Sequence, residues 1–263
     1  MLQFGASVLL VTATAVVYRQ MGFMTSRKLG YDKEHVISVW VYNNNEELRR
    51  TPEVAKRRFL QHPGVLQATV MMGDITNATL VTVRPEGFAQ DVEMHTLSGD
   101  EDALAVYGLT LVAGRNIERP GEYLLNETAV QRLGWADPIG KQVQATSHDM
   151  PAGAVVGVVK DFHFESFRQP VKPLFLSFCP FPQTLALRLS PVDLPATMAF
   201  LEEAYEELVG QAFWYRFLDE SVDALYAAEA RAGRILLVFG LLALGAACLG
   251  LVGLAAFAAE QRT

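Results

Sequence analysis

One uncharged run near the end of the chain constrains its architecture more than any other feature. The 25 residues from Ile235 to Ala259 contain no Asp, Glu, Lys or Arg. As an α-helix this run would be about 37 Å long, which exceeds the roughly 30 Å hydrocarbon core of a bilayer. A buried core helix is the alternative, although core helices rarely run this long without charge. The run therefore predicts a transmembrane helix over 235–259.

Small residues recur within this predicted helix. Ala246 and Gly250 are four residues apart, and small residues at that spacing let two membrane helices approach closely. The alternative is that glycine is simply tolerated in a membrane helix. We predict that Ala246 and Gly250 form a helix-packing face.

A second uncharged run, Phe4–Tyr18, is 15 residues long, which is short of the roughly 20 needed to span a bilayer. A signal peptide is the alternative, and Ala13–Ala15 offers a cleavage site. However, no Lys or Arg precedes Arg19, whereas a signal peptide has a basic N-terminal region. We interpret residues 1–18 as a truncated transmembrane helix and 19–34 as a stalk. Flanking charges do not settle the orientation, because the positive-inside rule weakens for long translocated domains.

The composition between the two runs is that of a globular domain. The whole chain is 51% hydrophobic and 19% charged, and the two runs account for the low charge content. The net charge is −7, which disfavours nucleic acid as a partner. Cys248 lies inside the apolar run, so a disulfide with Cys179 is not expected.

Runs rich in β-branched and aromatic residues predict nine strands in the middle domain. They are Val36–Val41, Val65–Met71, Leu80–Arg84, Val92–Thr96, Tyr123–Leu125, Val143–Ala145, Ala154–Val159, Leu185–Leu189 and Phe213–Phe217.

Two helices are predicted between these strands. Thr51-Pro52 starts the first with an N-cap hydroxyl and a proline at the first helical position, and it ends before His62. The second runs from Pro195 to Val209, and a further helical stalk is predicted over 221–233. The predicted fold class is α+β: two strand–helix–strand units share one sheet in a ferredoxin-like arrangement, and a β-rich block is inserted between them.

The search for catalytic chemistry is negative. The sequence lacks G-x-S-x-G, H-E-x-x-H, C-x-x-C, Walker A and G-x-G-x-x-G patterns. His163 and Glu165 could bind a metal together, but a zinc site has three or four ligands, and the end of a strand explains this segment better. We expect no enzymatic activity, no cofactor and no metal.

Four segments occur in a distinctive order between residues 113 and 162. They read AGRNI over 113–117, EYLLNETAV over 122–130, PIGKQV over 138–143 and VGVVKDF over 156–162. Together they resemble the periplasmic core domain of MacB/FtsX-type ABC transporter permeases, and residues 3–7 and 29–32 resemble that family's helix and stalk entry. The residues that match the family pattern, for which we expect structural roles, are Gly114, Arg115, Asn126, Glu127, Pro138, Gly140, Lys141, Gly157 and Asp161.

The resemblance implies a domain organisation between two transmembrane helices. A porter-like subdomain is expected over 35–100 and 179–218, with the inserted β-rich subdomain over 101–178. A stalk helix over 219–234 then leads to the helix over 235–259. In the family a basic cytoplasmic segment begins where this sequence ends, so the chain is expected to be a fragment of a larger permease.

The resemblance also implies a function. The chain would lie in the bacterial inner membrane with its middle domain in the periplasm, and would transmit ATP-driven motion across the membrane. The expected partners are a cytoplasmic ABC ATPase, a second permease copy, membrane lipid and an envelope protein. An extracytoplasmic ligand-sensing domain of a receptor shares this topology and is the alternative; it predicts a small-molecule pocket. A membrane-anchored enzyme is a third alternative, but the sequence lacks the set of catalytic residues that it would need.

Overall fold

The computed structural model describes residues 12, 29–41, 51–146, 151–165, 169–179, 182–225 and 227–260. The chain divides into two units, one formed by Leu29–Val222 and the other by Met1–Lys28 with Asp223–Thr263. The predicted membrane helix over 1–18 lies outside the described residues except for Thr12, and the stalk over 19–28 lies outside them entirely.

The unit Leu29–Val222 is a mixture of strands and short helices, which confirms the α+β class. The strands are β1 Val36–Trp40, β2 Val65–Met71, β3 Thr79–Pro85, β4 Val92–Gly99, β5 Leu111–Gly114, β6 Glu122–Asn126, β7 Gln142–Ala145, β8 Gly153–Val159, β9 Leu174–Phe178, β10 Thr184–Leu189 and β11 Tyr215–Phe217. The helices are α1 Pro52–Phe59, α2 Ala103–Tyr107, α3 Glu127–Leu133, α4 Leu194–Val209 and α5 Leu218–Leu225, of which α5 extends past the boundary of the unit. All nine predicted strands are present, whereas β5, β9, α2 and α3 were not predicted.

Four strands from the two ends of this unit form one half of it, which we call the four-stranded half. Their order is β11-β1-β10-β2, and all neighbours are antiparallel. Helix α1 connects β1 to β2 and α4 connects β10 to β11, so each helix crosses over a strand of the other pair. This is the split β-α-β order of ferredoxin-like folds. Both helices pack on the sheet through buried side chains such as Phe59, Leu201 and Tyr205.

Six other strands close into a barrel. The pairings run β4-β3-β7-β8-β6-β9 and return from β9 to β4, while β5 pairs with β8. Closure leaves these strands without a free edge. Val83, Met94, Tyr123 and Phe175 are among the buried residues of its core. Strands β3 and β4 lie before residue 101, and the other four barrel strands lie after it. The barrel therefore contains residues from both sides of the boundary predicted at residue 101.

Helix α6 spans Ala227–Glu260 in the other unit. It contains Ala246 and Gly250, and the side chains of Leu241, Leu249 and Val252 along it are exposed. Counting only the residues that the structure describes, no helix has the length and apolarity needed to cross a membrane. The transmembrane helix over 235–259 and its packing face stay predictions.

Candidate functional site

The segment Leu29–Glu34, which we call the strap, is the first part of the Leu29–Val222 unit and leads directly into β1. Gly30 lies in the left-handed region at φ 86°. A β-carbon there would lie 2.8 Å from the carbonyl oxygen of Asp161 and 2.9 Å from Cα of Phe162. Glycine therefore allows both the backbone turn and the close approach of the strap to residues 161–162.

The strap is packed and hydrogen-bonded against the segment that follows β8. Leu29 and Tyr31 are buried, and the rings of Tyr31 and Phe162 meet edge to face at 6.3 Å. The backbone amide of His163 donates to the carbonyl oxygen of Leu29 at 2.8 Å. This side of the strap is therefore attached to a segment that comes from the barrel.

Arg188 of β10 is hydrogen-bonded to the strap at Asp32. Its Nη1 donates to the Asp32 carboxylate at 2.8 Å and its Nη2 to the Asp32 carbonyl at 3.1 Å. The same guanidinium donates from Nε and Nη2 to the carbonyl oxygen of Val106 in α2, at 2.8 and 2.6 Å. The Asp32 amide in turn donates to the carbonyl of Tyr107 at 2.9 Å. The planar five-donor geometry of arginine suits this set of contacts.

Three of the residues matched to the family pattern lie where the strap meets the barrel. The Asp161 amide donates to the Glu127 carboxylate at 3.0 Å, and the Asp161 carboxylate accepts from the Thr128 amide and hydroxyl at 2.9 and 2.7 Å. Asn126 caps α3 by accepting from the Ala129 amide at 2.9 Å. These contacts join Asp161, which lies against the strap, to the start of α3.

Asn126 also connects α3 to β9. Its side-chain oxygen accepts from the Leu174 amide at 2.9 Å, and its amide nitrogen donates to the Lys172 carbonyl at 2.9 Å. The residue is fully buried, so each of these polar atoms depends on its protein partner.

A second group of matched residues lies beside β5 and β8. A β-carbon on Gly157 would lie 2.3 Å from the Arg115 carbonyl, and one on Gly114 would lie 2.2 Å from the Val156 carbonyl. The Arg115 guanidinium binds Glu122 through two hydrogen bonds of 2.5 and 2.9 Å. These bonds are the main reason why the pKa of the buried Glu122 carboxyl is lowered to about 2.

The remaining matched residues form the turn before β7. The Lys141 amide donates to the Pro138 carbonyl at 3.2 Å, and Gly140 adopts a positive φ of 87°. Lys141 Nζ lies 2.7 Å from Glu86, and this contact lowers the pKa of the Glu86 carboxyl. The matched residues thus form three groups, and in each group the contacts hold the backbone in place. That these residues have structural roles stays a prediction.

An ion cluster that the sequence analysis missed lies where the two halves meet. Asp100 follows β4 next to Gly99, which pairs with Met71 of β2. Lys56 of α1 lies 2.5 Å from Asp100 and 2.6 Å from Asp102, and both Lys56 and Asp100 are buried. Burial lowers the pKa of Lys56, but the bonds to both carboxylates outweigh it and raise the pKa above its ordinary value. A lysine in a helix and an aspartate 44 residues later carry no local signal of this pairing.

Glu165, considered above as a possible metal ligand, lies against two basic side chains. The carboxylate of Glu165 pairs with Lys172 at 2.6 Å and with His95 at 3.3 Å. Among the described residues, no group of three or more His, Cys, Asp or Glu could hold a metal ion. Two cavities, one lined by residues 162–165 and 169–172 and the other beside β2 and β4, have volumes of about 170 and 200 Å³ that include space open to solvent.

Comparison with known proteins identifies the fold. No protein-family model and no curated protein matches the sequence. The periplasmic region of MacB from Actinobacillus actinomycetemcomitans matches with a TM-score of 0.53 and 14% identity, over 74% of this chain and 94% of that one. The extracellular domain of the noncanonic ABC-type transporter YknZ from Gram-positive bacteria matches with a TM-score of 0.50 and 15% identity, over 69% and 98%. The predicted resemblance to the MacB/FtsX-type periplasmic domain is thereby confirmed at the level of the fold.

Proposed function

We propose that this chain, which has the fold of MacB-type periplasmic domains, is the extracytoplasmic domain and flanking helices of an ABC transporter permease. The observation that carries the proposal is the identity of the structures that share its fold: the extracellular domain of an ABC-type transporter and the periplasmic region of MacB. The four-stranded half would be the porter-like subdomain, and the barrel would contain the inserted β-rich subdomain.

The proposed role is to receive motion and not to perform chemistry. Closure of a cytoplasmic ABC ATPase would move the helices over 1–18 and 235–259, and the two stalks would pass that motion to the middle domain. The closed barrel and the satisfied polar contacts at its motif residues suit a rigid body that moves as a whole. We propose that the chain has no enzymatic activity of its own.

The proposed setting is the bacterial inner membrane, with the middle domain on the extracytoplasmic side. The exposed apolar side chains of α6 support contact with membrane lipid or another apolar helix. A second permease copy packed at Ala246 and Gly250, and an envelope protein that binds the middle domain, are the further partners we propose.

Affinity purification tests this proposal. A tagged version expressed in its own host and solubilised in mild detergent should come from the membrane fraction together with an ABC ATPase. A matched control replaces Leu242 and Leu249 with arginine, which should prevent insertion of the helix over 235–259 and lose the ATPase. Recovery of the unaltered protein without an ATPase contradicts the proposal, and recovery with a signalling kinase would support the ligand-sensing alternative instead.

A further inference from the structure

We infer that Arg188 is a positioning residue, a clasp that fixes the strap on β10 and α2 and so holds it against residues 161–163, which lets a pull at Leu29 reach the barrel as well as β1. This deepens the proposed function and rests on it, because the clasp matters only if the preceding helix moves. The inference starts from the place of the strap, which is the first segment of the domain that any motion of residues 1–28 would meet.

The covalent route from the strap leads only into the four-stranded half. Residue 36 begins β1, and the carbonyl of His35 accepts from the Leu189 amide of β10 at 2.8 Å. A force that followed only this route would act on β1 and β10. The barrel would then be moved only through the places where the two halves meet.

The strap has a second, non-covalent route into the barrel. His163 donates to Leu29, and the β-carbon position of Gly30 lies within 3 Å of Asp161 and Phe162. Asp161 is bonded to the start of α3 through Glu127. Because α3 contributes buried residues to the barrel core, a docked strap acts directly on that core.

Arg188 holds the strap in the position from which the second route is made. It bonds the strap at Asp32 and at the carbonyl of Glu34, at 2.8 and 3.3 Å, and bonds the α2 carbonyl of Val106 at 2.6 Å. The Arg188 side chain is 16% exposed and that of Asp32 is 55% exposed, so the bonds to Val106 are the better shielded of the set. Lysine at this position could pair with Asp32 but could not also bridge to Val106 in the same fork geometry.

Hydrogen–deuterium exchange on the full chain in detergent tests the clasp without any need for an ATPase. We expect Arg188→Met to raise the exchange rate roughly tenfold in peptides covering the strap and residues 161–164, since charged hydrogen bonds of this kind are lost. Exchange in β3, Thr79–Pro85, should not change, because β3 pairs with β4 and β7 and not with β10. Arg188→Lys should give an intermediate rate. Arg58→Met is the matched control, because Arg58 bonds Glu207 on α4 and does not contact the strap.

Each result decides for or against the clasp. A rise confined to the strap and residues 161–164, with partial rescue by lysine, supports it. Exchange in the strap that is equal to wild type overturns it, and so does an equal rise in Thr79–Pro85, which would mean that Arg188 only stabilises the fold. These outcomes do not depend on the purification test. A supported clasp without a co-purified ATPase refutes the permease proposal alone, and an ATPase without the clasp refutes this inference alone.

Discussion

Asp100→Asn should destabilise the domain far more than the loss of an ordinary surface carboxylate. The Asp100 carboxylate accepts from Lys56 at 2.5 Å, Thr69 at 2.5 Å, the Val70 amide at 3.0 Å and the Asp102 amide at 3.1 Å. In the asparagine variant the NH2 group faces a backbone donor in either orientation, so one buried amide loses its acceptor.

The size of the effect follows from burial. Removing one partner of a buried ion pair costs about 3–5 kcal/mol, and the lower end applies because Lys56 keeps Asp102. For a domain of this size the change corresponds to a fall in Tm of about 6–12 °C. Thermal unfolding followed by tryptophan fluorescence measures it, since Trp40, Trp135 and Trp214 all lie in this unit.

The control is Asp91→Asn, which breaks the more exposed 2.7 Å pair with Arg84. Such pairs contribute about 0–1 kcal/mol, so Tm should fall by less than about 4 °C. The double variant Lys56→Met/Asp100→Asn should recover part of the loss, because it no longer buries an ammonium that has lost one of its two carboxylate partners. If Asp100→Asn and Asp91→Asn lower Tm equally, the cluster does not stabilise the junction of the two halves and the reasoning is wrong.

Three further substitutions test other parts of the domain. The pKa of Glu122 is lowered to about 2, below its unfolded value of about 4.3. The stabilisation from Glu122 is therefore complete above about pH 5 and is lost as the pH falls toward 2. Between pH 6 and pH 3 the free energy of unfolding in urea should fall less for Glu122→Gln than for wild type, and equal falls would contradict this. Gly157→Ala places a β-carbon 2.3 Å from a carbonyl oxygen and should cost about 1–3 kcal/mol in urea unfolding; an unchanged midpoint would show that the backbone yields freely. Asn126→Ala should cost about 2–3 kcal/mol because it removes a cap and two further buried hydrogen bonds, and Asn126→Ser, whose hydroxyl can still cap α3, should cost less; equal losses would show that the cap is unimportant.

Nine of the eleven strands in the described part of the chain could be predicted from local sequence, because each of the nine carries its own pattern of β-branched and aromatic residues. The short helices α2 and α3 could not be predicted in this way. Helix α3 begins directly after a strand, and its signals were Asn126 as the cap and Gly134 at φ 62° as the stop, a pair too common in turns to predict a helix of seven residues. Strand β9 reads LFLSF after a proline and could have been predicted as a buried strand.

The closure of the barrel and the contacts of the strap could not be predicted from local sequence. Arg188 binds Asp32 across 156 positions of the chain, and neither residue differs in type or neighbours from an ordinary surface charge. The family pattern identified Glu127 and Asp161 without saying what they do. Their role can be interpreted only from the fold, which places Asp161 against Gly30 of the strap and bonds the Asp161 amide to Glu127.

Exchange compared between the nucleotide-free and the vanadate-trapped transporter tests the central proposal most directly. The permease would be purified with its ABC ATPase, and amide exchange in Leu29–His35 and residues 161–164 compared without nucleotide and after trapping with ATP and vanadate. Transmission of motion through the strap predicts a change in exchange at both segments on trapping, and a smaller change in the Arg188→Met variant. Full ATP hydrolysis with identical exchange in the two states would contradict the proposal that this domain receives the motion of the ATPase.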